Sequence, residues 1–157
     1  MTGDHSNTIV GWREWASLPD LGVDWIKAKI DTGARTSAVH AFDTEEFERD
    51  GATWIAYSIH PWQRRDDDAV RCESRVLDRR VVRSSSGQAE ERPVVRTAIT
   101  VAGRRVGAEL TLSQRDEMGF RMLIGRTTLA QGFLVDVATS YSGKRPRQAL
   151  RRKNWGH

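Results

Sequence analysis

The 157-residue sequence predicts an all-β domain, a barrel or a sandwich rather than a helical bundle. Three observations carry that expectation. Apolar and polar residues alternate in several short runs, the period of a strand with one buried face. Turn dipeptides such as Asp50-Gly51 and Ala102-Gly103 separate those runs. A helical pattern is confined to one short stretch at about 127–131, closed by Gly132.

Taken in order, "WIKAKI" at 25–30 sets Ile26, Ala28 and Ile30 on one face and Trp25, Lys27 and Lys29 on the other. "TWIAYSI" at 53–59 is rich in aromatic and β-branched residues and follows the Asp50-Gly51 turn. "PWQRRDDDAV" at 61–70 is charged and turn-like, the pattern of an exposed loop. Residues 79–95 place Ser84, Ser85, Ser86 and Gly87 between two strand-like arms, which predicts a hairpin with a polar tip able to move over a cleft. "VVRTAITV" at 94–101 and "RVGAELTLS" at 105–113 flank Ala102-Gly103 as a second hairpin, with Val106, Ala108, Leu110 and Leu112 sharing a face. "FLVDV" at 133–137 gives the last strand. No internal repeat is present, so a duplicated half-site is not encoded within the chain.

Composition narrows the function classes. No apolar run is long enough to cross a membrane, and "MTGDHSNTIVGW" lacks the pattern of a secretory signal. Cys72 is the single cysteine, so no disulfide framework is expected and a cytoplasmic setting is the default. The basic balance is local: residues 144–157 hold six of the 25 Lys and Arg and none of the 21 acids. Residues 1–143 therefore carry 19 bases against 21 acids, a formal charge of −2. The basicity belongs to a tail, most often a solvated end and less often a dock for an acidic partner or RNA. Nucleic-acid binding is accordingly not the favoured class.

Two motifs carry chemistry. In "KAKIDTGARTSAVHA" at 27–41 a strand delivers Asp31, Thr32 places a hydroxyl beside it, and Gly33 permits a sharp turn. Alone, Asp-Thr-Gly reads as a turn whose aspartate bonds its own backbone. Far downstream, "MLIGRTTL" at 122–129 offers apolar residues, a glycine and an arginine opening the short helix. A glycine there lets one backbone pack directly against the Asp-Thr-Gly loop.

With both motifs, the order Asp-Thr-Gly-Ala, flap-like hairpin, long hairpin and Ile-Gly-Arg resembles the retropepsins, one-domain aspartic proteases that work as homodimers. The stretches "GWREWASLPDLGVDWIKAKIDTGARTSAVHAF", "RPVV" and "MLIGRTTLAQGFLVDVATSYSGK" are similar to a bacterial family of retropepsin-like endopeptidases, often labelled ATP-dependent zinc proteases. The resemblance implies a closed β-barrel with a flap hairpin and one short C-terminal helix. Its body would span residues 9–143, between an extension at 1–8 and the basic tail at 144–157. It implies Asp31 as the catalytic residue, with Thr32, Gly33 and Ala34 forming the active-site loop. Leu123, Ile124, Gly125 and Arg126 would support that loop, Thr32 would brace it against a second copy, and Ser84, Ser85, Ser86 and Gly87 would form the flap. Because an aspartic protease needs two carboxylates around one water, the resemblance also implies a homodimer acting on a peptide or protein. "TIVGWREW" and "FLVDVATS" are the expected interface.

Departures from the family pattern add expectations. Many acid-active relatives carry a hydroxyl residue at the position of Ala34, which stabilises the ionised aspartate; alanine cannot, so activity is expected at mildly acidic to neutral pH. Viral members often have an aspartate at the position of Arg35 that pairs with the Ile-Gly-Arg arginine. Here Arg35 would repel Arg126, leaving Asp136 or Asp43 as partners for Arg126. Arg35 is either neutralised within the fold or a cleft residue that favours acidic substrates.

The zinc and ATP labels find no support in the residues. No His-Glu-x-x-His and no phosphate-binding glycine loop occurs, and His40 and His60 read as structural. The acidic run at 66–68 reads as a solvated loop. Neither metal nor nucleotide is expected as a cofactor. Of the six tryptophans, Trp12, Trp15, Trp25 and Trp54 fit a core or dimer interface, and Trp62 and Trp155 are candidates for partner contacts.

Overall fold

The computed structural model describes residues 6–62, 69–83, 87–113 and 120–149. The flap-tip residues Ser84, Ser85 and Ser86, the acidic run at 66–68, Trp155 and the end of the basic tail lie outside the described residues.

The chain opens with β1 (Thr8–Val10) and β2 (Arg13–Leu18). A 3-10 turn at Pro19–Leu21 leads into β3 (Val23–Ile30). After the Asp31 loop come β4 (Ser37–His40), β5 (Phe42–Arg49), β6 (Ala52–Ile59) and β7 (Val70–Arg75). Next are the hairpin of β8 (Asp78–Arg83) with β9 (Ala89–Val101), and the return strand β10 (Arg104–Ser113). The short β11 (Met122–Ile124), α1 (Arg126–Leu129) and β12 (Phe133–Val135) follow. The mostly-β class is as the alternation predicts.

Local sequence accounts for the long strands. Ile26, Ala28 and Ile30 of β3 are buried as their period requires, and Ala108, Leu110 and Leu112 of β10 join them in the core. The β9–β10 connection is the two residues Ala102 and Gly103, both with positive φ (50° and 81°), the geometry that matches the twist of a tight hairpin. Asp50 and Gly51 do the same between β5 and β6, at φ 52° and 76°.

The expected closed barrel is met only in part. Six strands pair in a cycle, β10-β4-β11-β3-β2-β9, with β9 returning to β10. The ring is thin where β2 meets β9, joined through Ala16↔Val101 and Ser17↔Thr100 alone. The sheet β5-β6-β7, the pair β1-β12 and the β8 arm all lie outside the ring, so the strands do not close into one clean barrel. Trp62 also departs from expectation. It is buried, its ring 5.4 Å from that of Trp15, because the chain folds it back over β2.

Candidate active site

The site is built where β3 ends beside β11. These strands run parallel, with Met122, Leu123 and Ile124 opposite Ala28, Lys29 and Ile30. Asp31 N donates to Ile124 O at 2.9 Å, so the aspartate leaves β3 fixed to the apolar half of the second motif. The chain then turns on the aspartate itself: Gly33 N and Ala34 N donate to Asp31 Oδ1 at 2.9 and 3.2 Å. The simple Asx-turn reading of the motif is therefore correct as local structure. Asp31 remains half-buried and lines the cleft, beside the exposed Thr32.

The second motif locks onto this loop through backbone. Arg126 N donates to Ala34 O at 2.8 Å and Thr127 N to Arg35 O at 3.0 Å. Gly125 sits so close that a Cβ there would lie 2.4 Å from Thr36 O and 2.9 Å from Ala34 O. Only glycine permits that approach. Ile124 is buried in the core, and Leu123 is half-buried and reaches the cleft. The structure thus brings Asp31, Gly33, Ala34, Ile124, Gly125 and Arg126 together as the two motifs imply.

Two supports escaped sequence reading. Ser37 Oγ accepts from Gly125 N at 3.0 Å and shares a 2.7 Å bond with Thr128 Oγ1, both side chains being buried. In sequence they are ordinary hydroxyl residues 91 positions apart. The signal that could have found them is their placement, one following the Asp31 loop and one inside the helix that caps it.

The arginines behave differently from expectation. Arg35 and Arg126 are both exposed, and among the described residues neither forms an ion pair. Asp136 is not a partner because it closes its own turn. Thr139 Oγ1 donates to it at 2.8 Å and Ala138 N at 3.0 Å, and these bonds hold its carboxyl below the ordinary range. Asp43 sits at φ 51° in β5, where its carbonyl accepts Arg71 Nη1 at 2.7 Å. Solvent screens the two exposed guanidinium groups, so no internal acid is required.

Beside Asp31 opens a cleft of about 290 Å³. Val39 and Met122 form apolar lining, and Val82 of the β8 arm borders it, which places the β8–β9 hairpin against the cleft. Gly87, on the far side of the hairpin tip, is exposed at φ 83°. Lys29, His40 and Arg121 also line the cleft, whereas Asp31 is its one carboxylate among the described residues. Lys29 and Arg121 thus make the lining basic from within the cleft.

Other candidate chemistry is not assembled. His40, Phe42 and His60 stack, with ring centroids 6.2 and 4.2 Å apart in turn. Among the described residues no three His, Cys, Asp or Glu side chains gather to hold a metal. Cys72 is buried, which pushes its thiol up to about 11 and leaves it unreactive at neutral pH. No helix among the described residues is long and apolar enough to cross a membrane.

Comparison with known proteins agrees with this geometry. The RimB-like family, described as retropepsin-like aspartic endopeptidase RimB, matches residues 9–146, and the chain belongs to it. A protein of Shewanella pealeana named probable alpha-L-glutamate ligase is 44% identical over 133 residues, 85% of this chain and 29% of its own length. Relatives of the same name from Desulfotalea psychrophila and Parasynechococcus marenigrum are 42% and 46% identical, over 88% and 85% of this chain. The chain thus spans less than a third of these curated relatives. A crystal structure of a Legionella pneumophila protein of unknown function shares the fold, with a TM-score of 0.73 at 24% identity over 88% of this chain and all of that one.

Proposed function

We propose that this RimB-like chain is an aspartic endopeptidase whose hydrolytic centre forms when two copies bring their Asp31 carboxylates together. The observation that carries the reading is the lone Asp31, held at a cleft mouth by the interlocked loop and Gly125, with no second carboxylate in the lining among the described residues. Two carboxylates at close range share one proton, a coupling for which aspartic proteases are the type case. The ionised member then takes a proton from the water between them while the protonated member donates to the substrate carbonyl. The pair titrates as a unit. Thr32, exposed beside Asp31, is available to brace the facing loop.

The terminal sheet favours the assembly. β1 and β12 pair in parallel within the chain, with Ile9 opposite Leu134. Both remain exposed, at 57% and 55%, and Val137 beside them at 77%. A second copy covering this apolar face would remove it from water.

An acidic peptide is the proposed substrate. Lys29, His40 and Arg121 in the cleft, with the exposed Arg35 nearby, suit glutamate side chains, and the relatives' name points to glutamate-containing products. That name also favours a second reading, since the chain matches only 29% of a protein called a ligase. In that reading this part holds an acidic peptide for chemistry done elsewhere. Incubating the purified chain with glutamate-rich peptides and analysing the products by mass spectrometry separates the two. Cleavage lost in Asp31→Asn, with folding and association retained, supports the endopeptidase. Tight peptide binding without cleavage by the unaltered chain would favour the second reading.

A further inference from the structure

Among the described residues the one fully buried carboxylate is Glu14, and it lies outside the cleft. Glu14 is in β2, on the inward face it shares with Ala16 and Leu18, and it is fully buried. Sealing an acid in a core is unfavourable unless it is paired or hydrogen-bonded. Among the described residues no cation pairs with it; its oxygens instead take three backbone N–H groups. Gly11 N and Ser142 N donate to Oε2 at 2.7 and 2.8 Å, and Gly143 N donates to Oε1 at 3.0 Å. An ionised carboxylate accepts on both oxygens, so it suits three donors.

These donors belong to two segments far apart in sequence, the link between β1 and β2 and the strap after β12, the latter 128 or more residues beyond Glu14 at its bonding positions. Neither segment has slack. A Cβ on Gly11 would lie 2.2 Å from Thr139 O, and one on Gly143 2.7 Å from Ala102 Cα. The adjacent Trp12 donates its N–H to Thr139 O at 2.8 Å, and its carbonyl accepts from Ile30 N at 2.8 Å. Ile30 is the residue before Asp31.

We propose that Glu14 is a positioning residue for the Asp31 loop. Its carboxylate fastens the strap at 139–143 to Gly11 and Trp12, and Trp12 holds Ile30. The point at which the chain turns toward Asp31, and the β1–β12 sheet next to it, are thus set by one buried carboxyl group. Only the expected effect on turnover rests on the endopeptidase reading.

Amide hydrogen exchange on the full chain, compared with Glu14→Gln, tests this directly. Glutamine keeps the shape but turns an amide donor toward an N–H. Exchange at Gly11, Trp12, Ile30, Ser142 and Gly143 should rise about tenfold or more. The β9–β10 ladder should change by less than about twofold. A uniform rise through every strand would make Glu14 a contributor to global stability alone and overturn the proposal, as would unchanged exchange at Ile30. Should Glu14→Gln not fold, Glu14→Asp keeps the charge with a shorter reach, and its exchange is read by the same two criteria. With a cleaved peptide, Glu14→Gln should lower kcat about tenfold at unchanged KM. If the unaltered chain cleaves nothing, the endopeptidase reading fails by itself, and the exchange pattern still decides the role of Glu14.

Discussion

The Asp31 loop and the base of the β8–β9 hairpin both border the cleft, yet they are held by opposite means. The loop is fixed by backbone bonds to Ile124, Arg126 and Thr127 and by the buried Ser37–Thr128 hydroxyl pair. The hairpin base, beyond its own β8–β9 backbone ladder, is tied to the neighbouring strands by exposed charges. Arg79 forks onto Glu46 of β5 and approaches Glu91 at 3.6 Å, while Arg80 reaches Glu109 of β10 at 2.8 Å. Because neighbours on a strand point to opposite faces, two consecutive arginines pin β8 from both sides. Buried neutral bonds are insensitive to salt, whereas exposed ion pairs are screened. The cleft therefore has a wall of fixed geometry and a hairpin whose footing yields to conditions.

The sharpest way to break that contrast is to force the rigid side apart. Gly125→Ala places a methyl 2.4 Å from Thr36 O, a backbone atom that cannot swing aside. Either the helix α1 or the Asp31 loop must move. We expect a loss of about 3 kcal/mol in urea unfolding and of any Asp31-dependent cleavage. A variant with unaltered midpoint would mean that the two motifs are not locked.

Ser37→Ala is milder because it removes atoms instead of adding them. It leaves the Gly125 N–H and the Thr128 hydroxyl without their buried partner. The cost should be about 2 kcal/mol, read as a lower urea midpoint at unchanged slope. The same difference should appear at low and high salt, since no charge is involved. A salt-dependent difference would contradict the contrast.

How far the sequence disclosed this arrangement follows from where constraints are local. Alternation marks β3 and the first part of β10, while β6, buried on both faces from Ile55 to Ile59, is marked by its aromatic and β-branched content; β9 is as visible but begins earlier than its apolar run, inside the hairpin arm. "FDTEEFER" of β5 has no fully buried residue, so burial leaves no periodic trace in it. β1 and β11 are three residues each, too short for any period to register, and β12 was marked by its apolar run alone, two residues longer than the strand. In the site, Gly125 was legible because a close backbone approach restricts residue type, and Asp31 because its carboxyl closes a turn; Gly33 has no positive φ, and a Cβ there would meet Asp31 Oδ1 alone, at 3.2 Å. Ser37, Thr128 and Glu14 were not legible, since a polar residue on a strand or helix normally marks its wet face. What buries them is a partner 88 to 129 residues away. The same long-range packing hides Trp62, which sits beside Pro61 in a turn-like stretch yet packs against Trp15 with the rings tilted by 54°.

The smallest effect is expected at the hairpin base, and its dependence on conditions is the test. Arg79 donates to Glu46, and that hydrogen bond, more than the accompanying charge attraction, holds the carboxyl below its ordinary value of 4.5. The same bond raises the guanidinium, so the two partners agree in direction. Both side chains are more than a third exposed, at 37% and 39%, so solvent limits the pair to under about 1 kcal/mol. A depressed carboxyl contributes stability that is fully present above its unfolded value and disappears as pH falls through the lower folded value. The difference between the unaltered chain and Glu46→Gln should therefore be flat from about pH 5 to 8 and vanish well below pH 4. In about 1 M salt it should shrink at every pH. Persistence in acid, or an undiminished difference in salt, would mean that Glu46 holds the hairpin by packing, and the two sides of the cleft would then be fastened alike.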